Sequence, residues 1–191
     1  MAFNLPTSRT ALCTAIASGA TISYLLFYGH RSKEDPKTCL SQWFEAPFQV
    51  EGIVYPTAEH FMMAEKARLF GDEETLADIL SAPSPSVAKA FGRSVSNFDE
   101  ETWCRHRFDI VVRASEAKFG QNPALKAFLM GTKKHVLVEA SPRDRIWGIG
   151  LGATHADAED PEKWRGLNLL GFALMVARDT LVAQDSLNEK M

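Results

Sequence analysis

An apolar stripe made of Trp103, Phe108, Val111, Val112 and Phe119 recurs at helical spacing across residues 99–119. A helix this long with one greasy face must lie against a core built by other elements. That requirement constrains the fold more than any other feature. The flanking segments read as shorter helices punctuated by glycine and proline. Thr57 caps a helix carrying Phe61, Met62, Ala64 and Leu69, and Gly71 stops it. A second, acidic-started helix spans residues 72–80, and residues 86–91 give a short one that Gly92 terminates. Residues 123–130 form another, closed by Gly131, and residues 168–182 a last amphipathic one.

Two short runs break this periodicity. Residues 22–28 are apolar and aromatic and close on Gly29, while residues 135–140 read His-Val-Leu-Val-Glu-Ala. Both predict buried strands. Alternation on either side of Gly52 predicts a small hairpin between residues 48 and 55. Residues 30–38, charged and containing Pro36, predict a loop, and residues 155–162 an exposed acidic excursion. The sum is an α+β fold: one helix-rich domain with a small β component over residues 22–183. Residues 1–21 read as a mobile N-terminal extension or a targeting segment, and residues 184–191 as a frayed tail.

With 191 residues, 46% of them hydrophobic and 24% charged, the chain suits a single ordinary globular domain. A formal charge of −3 gives no bulk attraction to nucleic acid or anionic lipid, so a polyanionic ligand would need a local basic cluster. Three cysteines and five histidines are scattered without zinc-type spacing or an even disulfide set. Neither a metal nor a cofactor is expected, and a reduced, intracellular, cytoplasmic setting is the natural reading. Residues 11–28 carry no charge and approach the length of a membrane span, but Thr14, Ser18, Gly19, Thr21 and Ser23 dilute them. A membrane role is therefore disfavoured, while organelle targeting behind Arg9 stays open.

The helix after Thr57 is the most informative element for chemistry. Glu59 and Lys66 lie seven positions apart, on one helical face and about 10 Å apart along the axis, so both can reach one pocket. Glu59 falls in the first turn, where the helix dipole favours an ionised carboxylate suited to be a base or an electrostatic stabiliser. The same spacing also describes ordinary helix decoration. After the strand at residues 135–140, Asp144 stands beside the flat surface of Trp147, and Gly148, Gly150 and Gly152 let backbone approach a ligand. A solvated turn with Trp147 as a core plug is the competing reading. Arg93, after a glycine, is placed to meet a phosphate. Arg105-His-Arg107 reads as a solvated helix face.

Taken in order, these pieces resemble the NADAR family of YbiA-like N-glycosidases. They are Phe27-Tyr28-Gly29, Tyr55-Pro-Thr-Ala-Glu-His60, Ala64-Glu-Lys66, Gly92-Arg93, Trp103, Lys118-Phe119, Asp144 with Trp147-Gly148, and Gly166-Leu-Asn-Leu-Leu-Gly171 before Leu174-Met175. The resemblance covers about residues 22–183. It implies cleavage of the bond between ribose and a nitrogen base. The implied ligands are phosphorylated ribosylamino-pyrimidine intermediates of riboflavin biosynthesis or ADP-ribose on guanine bases, so nucleic acid enters only as a modified substrate. By the same resemblance Glu59 is the catalytic carboxylate, with Asp144 a second acidic or positioning group. Lys66 offers an imine route at C1 of an opened ribose, while Trp103, Trp147, Arg93, Gly148 and Asn168 contact the ligand. A non-catalytic module that binds ADP-ribose or an NAD-like ligand is the alternative. Ala58, where the family usually has Ser, and Phe61-Met62-Met63, in place of a more polar stretch, are departures that bear on substrate identity.

Overall fold

The computed structural model describes residues 5–32 and 34–188. Its elements run α1 (Arg9–Ala17), β1 (Ser23–Phe27), a 3-10 turn (Pro36–Leu40), β2 (Phe48–Val50), β3 (Ile53–Tyr55), α2 (Ala58–Leu69), α3 (Glu73–Leu80), α4 (Pro85–Arg93), α5 (Glu100–Gln121), α6 (Pro123–Gly131), β4 (His135–Glu139) and α7 (Leu169–Asn188). This is the helix-rich α+β domain that the periodicity predicts.

The long helix α5 packs on α2, α6 and α7. Its Val111, Ala114 and Phe119 are fully buried, which accounts for the stripe in the sequence. Polar residues set the helix starts. The Thr57 side chain accepts from the His60 N–H at the head of α2, and Asp99 accepts from Thr102 at the head of α5.

The β component is two separate pairs. β2 and β3 form the antiparallel hairpin expected around Gly52, which takes a left-handed φ of +82°. β1 and β4 run parallel, with Ser23 opposite His135 and Phe27 opposite Glu139. Of β1 only Phe27 is buried, so this strand is half-covered rather than the fully buried one expected. Among the described residues no third strand covers the far edge of β4. Asn168 does that work: its side-chain amide donates to the Leu137 carbonyl at 2.9 Å, and its oxygen accepts from the Glu139 N–H at 2.9 Å. One side chain thereby satisfies two strand-edge groups that burial would otherwise leave unpaired.

Several local expectations change. Residues 9–17, expected within a mobile extension, form α1 instead. Arg9 holds it by donating to the carbonyls of Pro161 at 2.7 Å and Glu162 at 2.9 Å, and Leu12 is fully buried. The acidic excursion that supplies those carbonyls is tied down as well, with Trp164 Nε1 donating to the buried Ala158. Gly92 does not stop a helix but lies inside α4, where a Cβ would fall 2.1 Å from Met63 Sδ. The last helix continues to Asn188, so the frayed tail does not begin at residue 184. Residues 1–4 and 189–191 lie outside the described residues. Among the described residues no helix is long and apolar enough to cross a membrane.

Candidate active site

The ends of β1 and β4, one face of α2, and α4 open onto a cleft of about 1330 Å³. Helix α2 contributes Glu59, Met62, Met63 and Lys66, so the seven-residue spacing does bring the carboxyl and the amine to one pocket. Arg93 reaches it from α4 and Trp103 from α5. Asp144 and Trp147 line it from the loop after β4.

Glu59 is 2% exposed. Its backbone N–H donates to the Gln42 carbonyl at 3.0 Å, and its side-chain Oε1 has no hydrogen-bond partner. Burial pushes its carboxyl up to about 7. Lys89, a hydrogen bond from Trp43 and Arg93 pull it down, while Asp144 adds to the rise. The group therefore titrates near neutrality rather than staying fully ionised there, as the helix dipole alone would have it. A helix terminus contributes about 0.3–1 kcal/mol to a carboxylate, less than desolvation of a fully buried one removes.

Lys66 donates from Nζ to the Gly92 carbonyl at 2.7 Å, with Nζ 4.1 Å from the Phe98 ring centroid and 5.7 Å from that of Trp103. Burial lowers its pKa, and Glu100 opposes that. The Asp144 Oδ1 accepts from the backbone N–H groups of Ile146 at 2.9 Å and Trp147 at 2.7 Å, which fixes the turn presenting Trp147. Trp147 serves both readings made of it, packing against the core and lining the cleft.

Two residues expected to contact ligand stand elsewhere. Asn168 is fully buried and spends its amide on β4, away from the cleft lining. Gly148 also falls outside the lining. A Cβ there would lie 2.9 Å from the Glu139 carbonyl, so glycine lets the loop fold back on the strand end. Both support the cleft from outside its lining.

Sequence reasoning missed other residues. Glu139 ends β4 and lines the cleft, with Oε2 buried and unpartnered. Burial first, and Asp144 second, push its carboxyl up to about 8. An acid terminating an apolar strand was the available signal. Lys89 lies one helical turn before Arg93, and Trp43 stands with its ring centroid 5.5 Å from that of His30. Lys118, 2% exposed, donates to the carbonyls of Cys39 at 2.7 Å and Ser41 at 2.8 Å, and so fastens the segment leading to Gln42 and Trp43. Burial lowers this amine to about 7.

Arg31, Lys66, Lys89, Arg93, Arg143 and Arg145 all border the cleft. Against them stand four acids, Asp35, Glu59, Glu139 and Asp144, two of which burial pushes toward the neutral form. The cleft is thus the local basic cluster that an anionic ligand requires. Among the described residues no group of three or more His, Cys, Asp or Glu side chains is arranged to hold a metal ion.

The NADAR domain family model matches residues 26–182. An N-glycosidase of Acanthamoeba polyphaga mimivirus is 41% identical over 164 residues, covering 83% of this chain and 96% of that protein. The N-glycosidase YbiA of Escherichia coli is 33% identical over 138 residues, covering 72% of this chain and 78% of its own. Its solution structure superposes with a TM-score of 0.66 at 28% identity, covering 95% of both chains. Part of a larger maize protein, named riboflavin biosynthesis protein PYRR, is 34% identical over 138 residues, which is 68% of this chain and 20% of that one.

Proposed function

We propose that this chain, which belongs to the NADAR domain family and is an N-glycosidase, hydrolyses a phosphorylated ribosyl base with Glu59 as its catalytic carboxyl. The observation that carries the proposal is the burial of Glu59 in a basic cleft with one carboxyl oxygen left unpartnered. N-glycoside cleavage builds positive charge on C1 and the ring oxygen, and a desolvated carboxylate stabilises that charge more strongly than one in water. The same carboxylate takes a proton from the water that attacks C1, for which a value near 7 is well matched. Arg93 and Lys89 supply charge for a phosphate, and Trp103 and Trp147 supply flat surfaces for the base. Asp144 acts as a positioning residue by ordering the turn that presents Trp147.

The preferred substrate class is the phosphorylated ribosylamino-pyrimidines of riboflavin biosynthesis. The basic cleft and the name of the maize relative support it. ADP-ribosyl groups, including those on guanine bases, are the second class. Direct hydrolysis is favoured over an imine at Lys66, because its Nζ is engaged by the Gly92 carbonyl. Borohydride added during turnover should accordingly trap no adduct on Lys66.

Turnover of a ribosylamino-pyrimidine phosphate by Glu59→Gln should fall at least roughly a hundredfold, with ligand affinity retained. Unchanged turnover would remove Glu59 from the chemistry. Binding without product in the wild-type protein would instead make this a ligand-binding module.

A further inference from the structure

Glu139 is a half-buried carboxyl of the cleft, its Oε2 fully enclosed, that the hydrolysis described above leaves unused. It stands at the C-terminal end of β4, where pairing with Phe27 and the Asn168 amide hold its backbone on both edges. The Ile149 N–H donates to its carbonyl at 2.9 Å, so the following loop closes over the strand end as well. A residue whose backbone is this firmly seated, with Oε2 buried and unpartnered at the wall of a ligand-sized cleft, has one unmet hydrogen-bonding need. Leaving a polar atom so placed costs about 1–3 kcal/mol unless something else repays it. A ligand atom in the cleft is the partner that would satisfy it.

We infer that Glu139 is the general acid of the N-glycosidase reaction, donating its carboxyl proton to the departing base nitrogen. The inference rests on the hydrolytic reading of the cleft. As the C1–N bond breaks, its electron pair goes to the nitrogen and the Glu139 proton follows. Water then adds to C1 and gives its proton to the Glu59 carboxylate. Glu59 returns that proton to solvent and Glu139 takes one up, so the cycle closes with base and free ribose phosphate as products. An amine leaving group on a pyrimidine is a poor one and needs this proton.

The electrostatic setting keeps the acid neutral. Asp144, Arg143 and Arg145 lie on the loop after β4, Tyr28, His30 and Arg31 follow β1, and Glu59 and Lys66 face the cleft from α2. Arg178 bonds to the His135 carbonyl at the opposite end of the strand. Of these groups Asp144 is the one that acts on Glu139, and it adds to the effect of burial. With Glu139 near 8 and Glu59 near 7, the productive pair of an ionised base and a protonated acid is most populated between those values.

The test is Glu139→Gln, assayed on two substrates. One is a ribosylamino-pyrimidine phosphate, whose nitrogen must be protonated. The other is a ribosyl pyridinium phosphate, whose cationic base leaves without a proton. We expect turnover of the first to fall at least roughly a hundredfold and that of the second by less than about threefold, with the alkaline limb of the pH profile lost. Equal losses on both substrates would assign Glu139 a structural role and overturn the inference, as would full activity on the first. Full activity of Glu139→Gln beside an inactive Glu59→Gln would leave hydrolysis standing and remove only the acid. Infrared difference spectra of wild type against Glu139→Gln at pH 7 need no turnover. A difference spectrum without a protonated-carboxyl band would overturn the inference even if neither substrate were cleaved.

Discussion

At Glu59 a local effect and a tertiary effect oppose each other, and the tertiary one wins. The first turn of α2 favours an ionised carboxylate, but packing of the Gln42–Trp43 segment buries the group and raises it to about 7. Sequence displays the first effect and conceals the second, because the segment over Glu59 is fastened from α5 by Lys118, far along the chain. The shift has a thermodynamic consequence. An unfolded glutamate titrates near 4.3, so between about 4.3 and 7 the native state holds a proton that the unfolded state has lost. Stability therefore falls as pH rises through this window, and a glutamine at the position is free of the loss. From pH 5 to pH 8, Glu59→Gln should gain on the order of 2 kcal/mol relative to wild type, measured by urea unfolding at both values. Lys118 contributes the opposite slope above its own value of about 7, but it is common to both proteins and cancels. A difference that does not change with pH would mean that Glu59 is ionised in the fold.

Among elements, the contact between β4 and α7 sets the geometry of the site, since β4 delivers Glu139. Gly171 lies so near the strand that a Cβ would fall 2.0 Å from the Leu137 carbonyl and 2.6 Å from the Asn168 amide nitrogen. Neither can yield, as one is strand backbone and the other is the side chain that seals the strand edge. Gly171→Ala is thus expected to cost about 3 kcal/mol despite alanine's better helix propensity, and to lower turnover by displacing the strand end. An unfolding midpoint equal to wild type would show that helix and strand are not locked there. Elements of this kind are legible in sequence only in part. Thr57, Asp99 and the stripe of α5 announce themselves because capping and periodicity are local. Gly92 and Asn168 do not. Gly92 serves packing against Met63 inside α4, and Asn168 serves the unpaired edge of a strand thirty positions earlier. Each looks in sequence like a stop or a ligand contact, since what it serves lies on another element.

Across the whole molecule charge is segregated rather than abundant. A chain with a formal charge of −3 gathers six Arg and Lys side chains around one cleft. Net charge hides this, because the residues come from the loop after β1, α2, α4 and the loop after β4, which the parallel pairing of β1 with β4 and the packing of α2 on α4 bring together. Such an arrangement steers an anion toward the cleft while the rest of the surface repels it. Steering of this kind is screened over about 8 Å at physiological salt, so it weakens as salt is added. For a phosphorylated substrate, kcat/KM should therefore fall roughly tenfold between about 0.05 and 0.5 M salt. For the same substrate without its phosphate it should hardly change. Paired reversal at Arg143→Glu and Arg145→Glu should flatten the first dependence and leave the second alone. If the two substrates respond equally in the wild-type protein, the cations serve the fold, and the phosphate is recognised by some other part of the cleft.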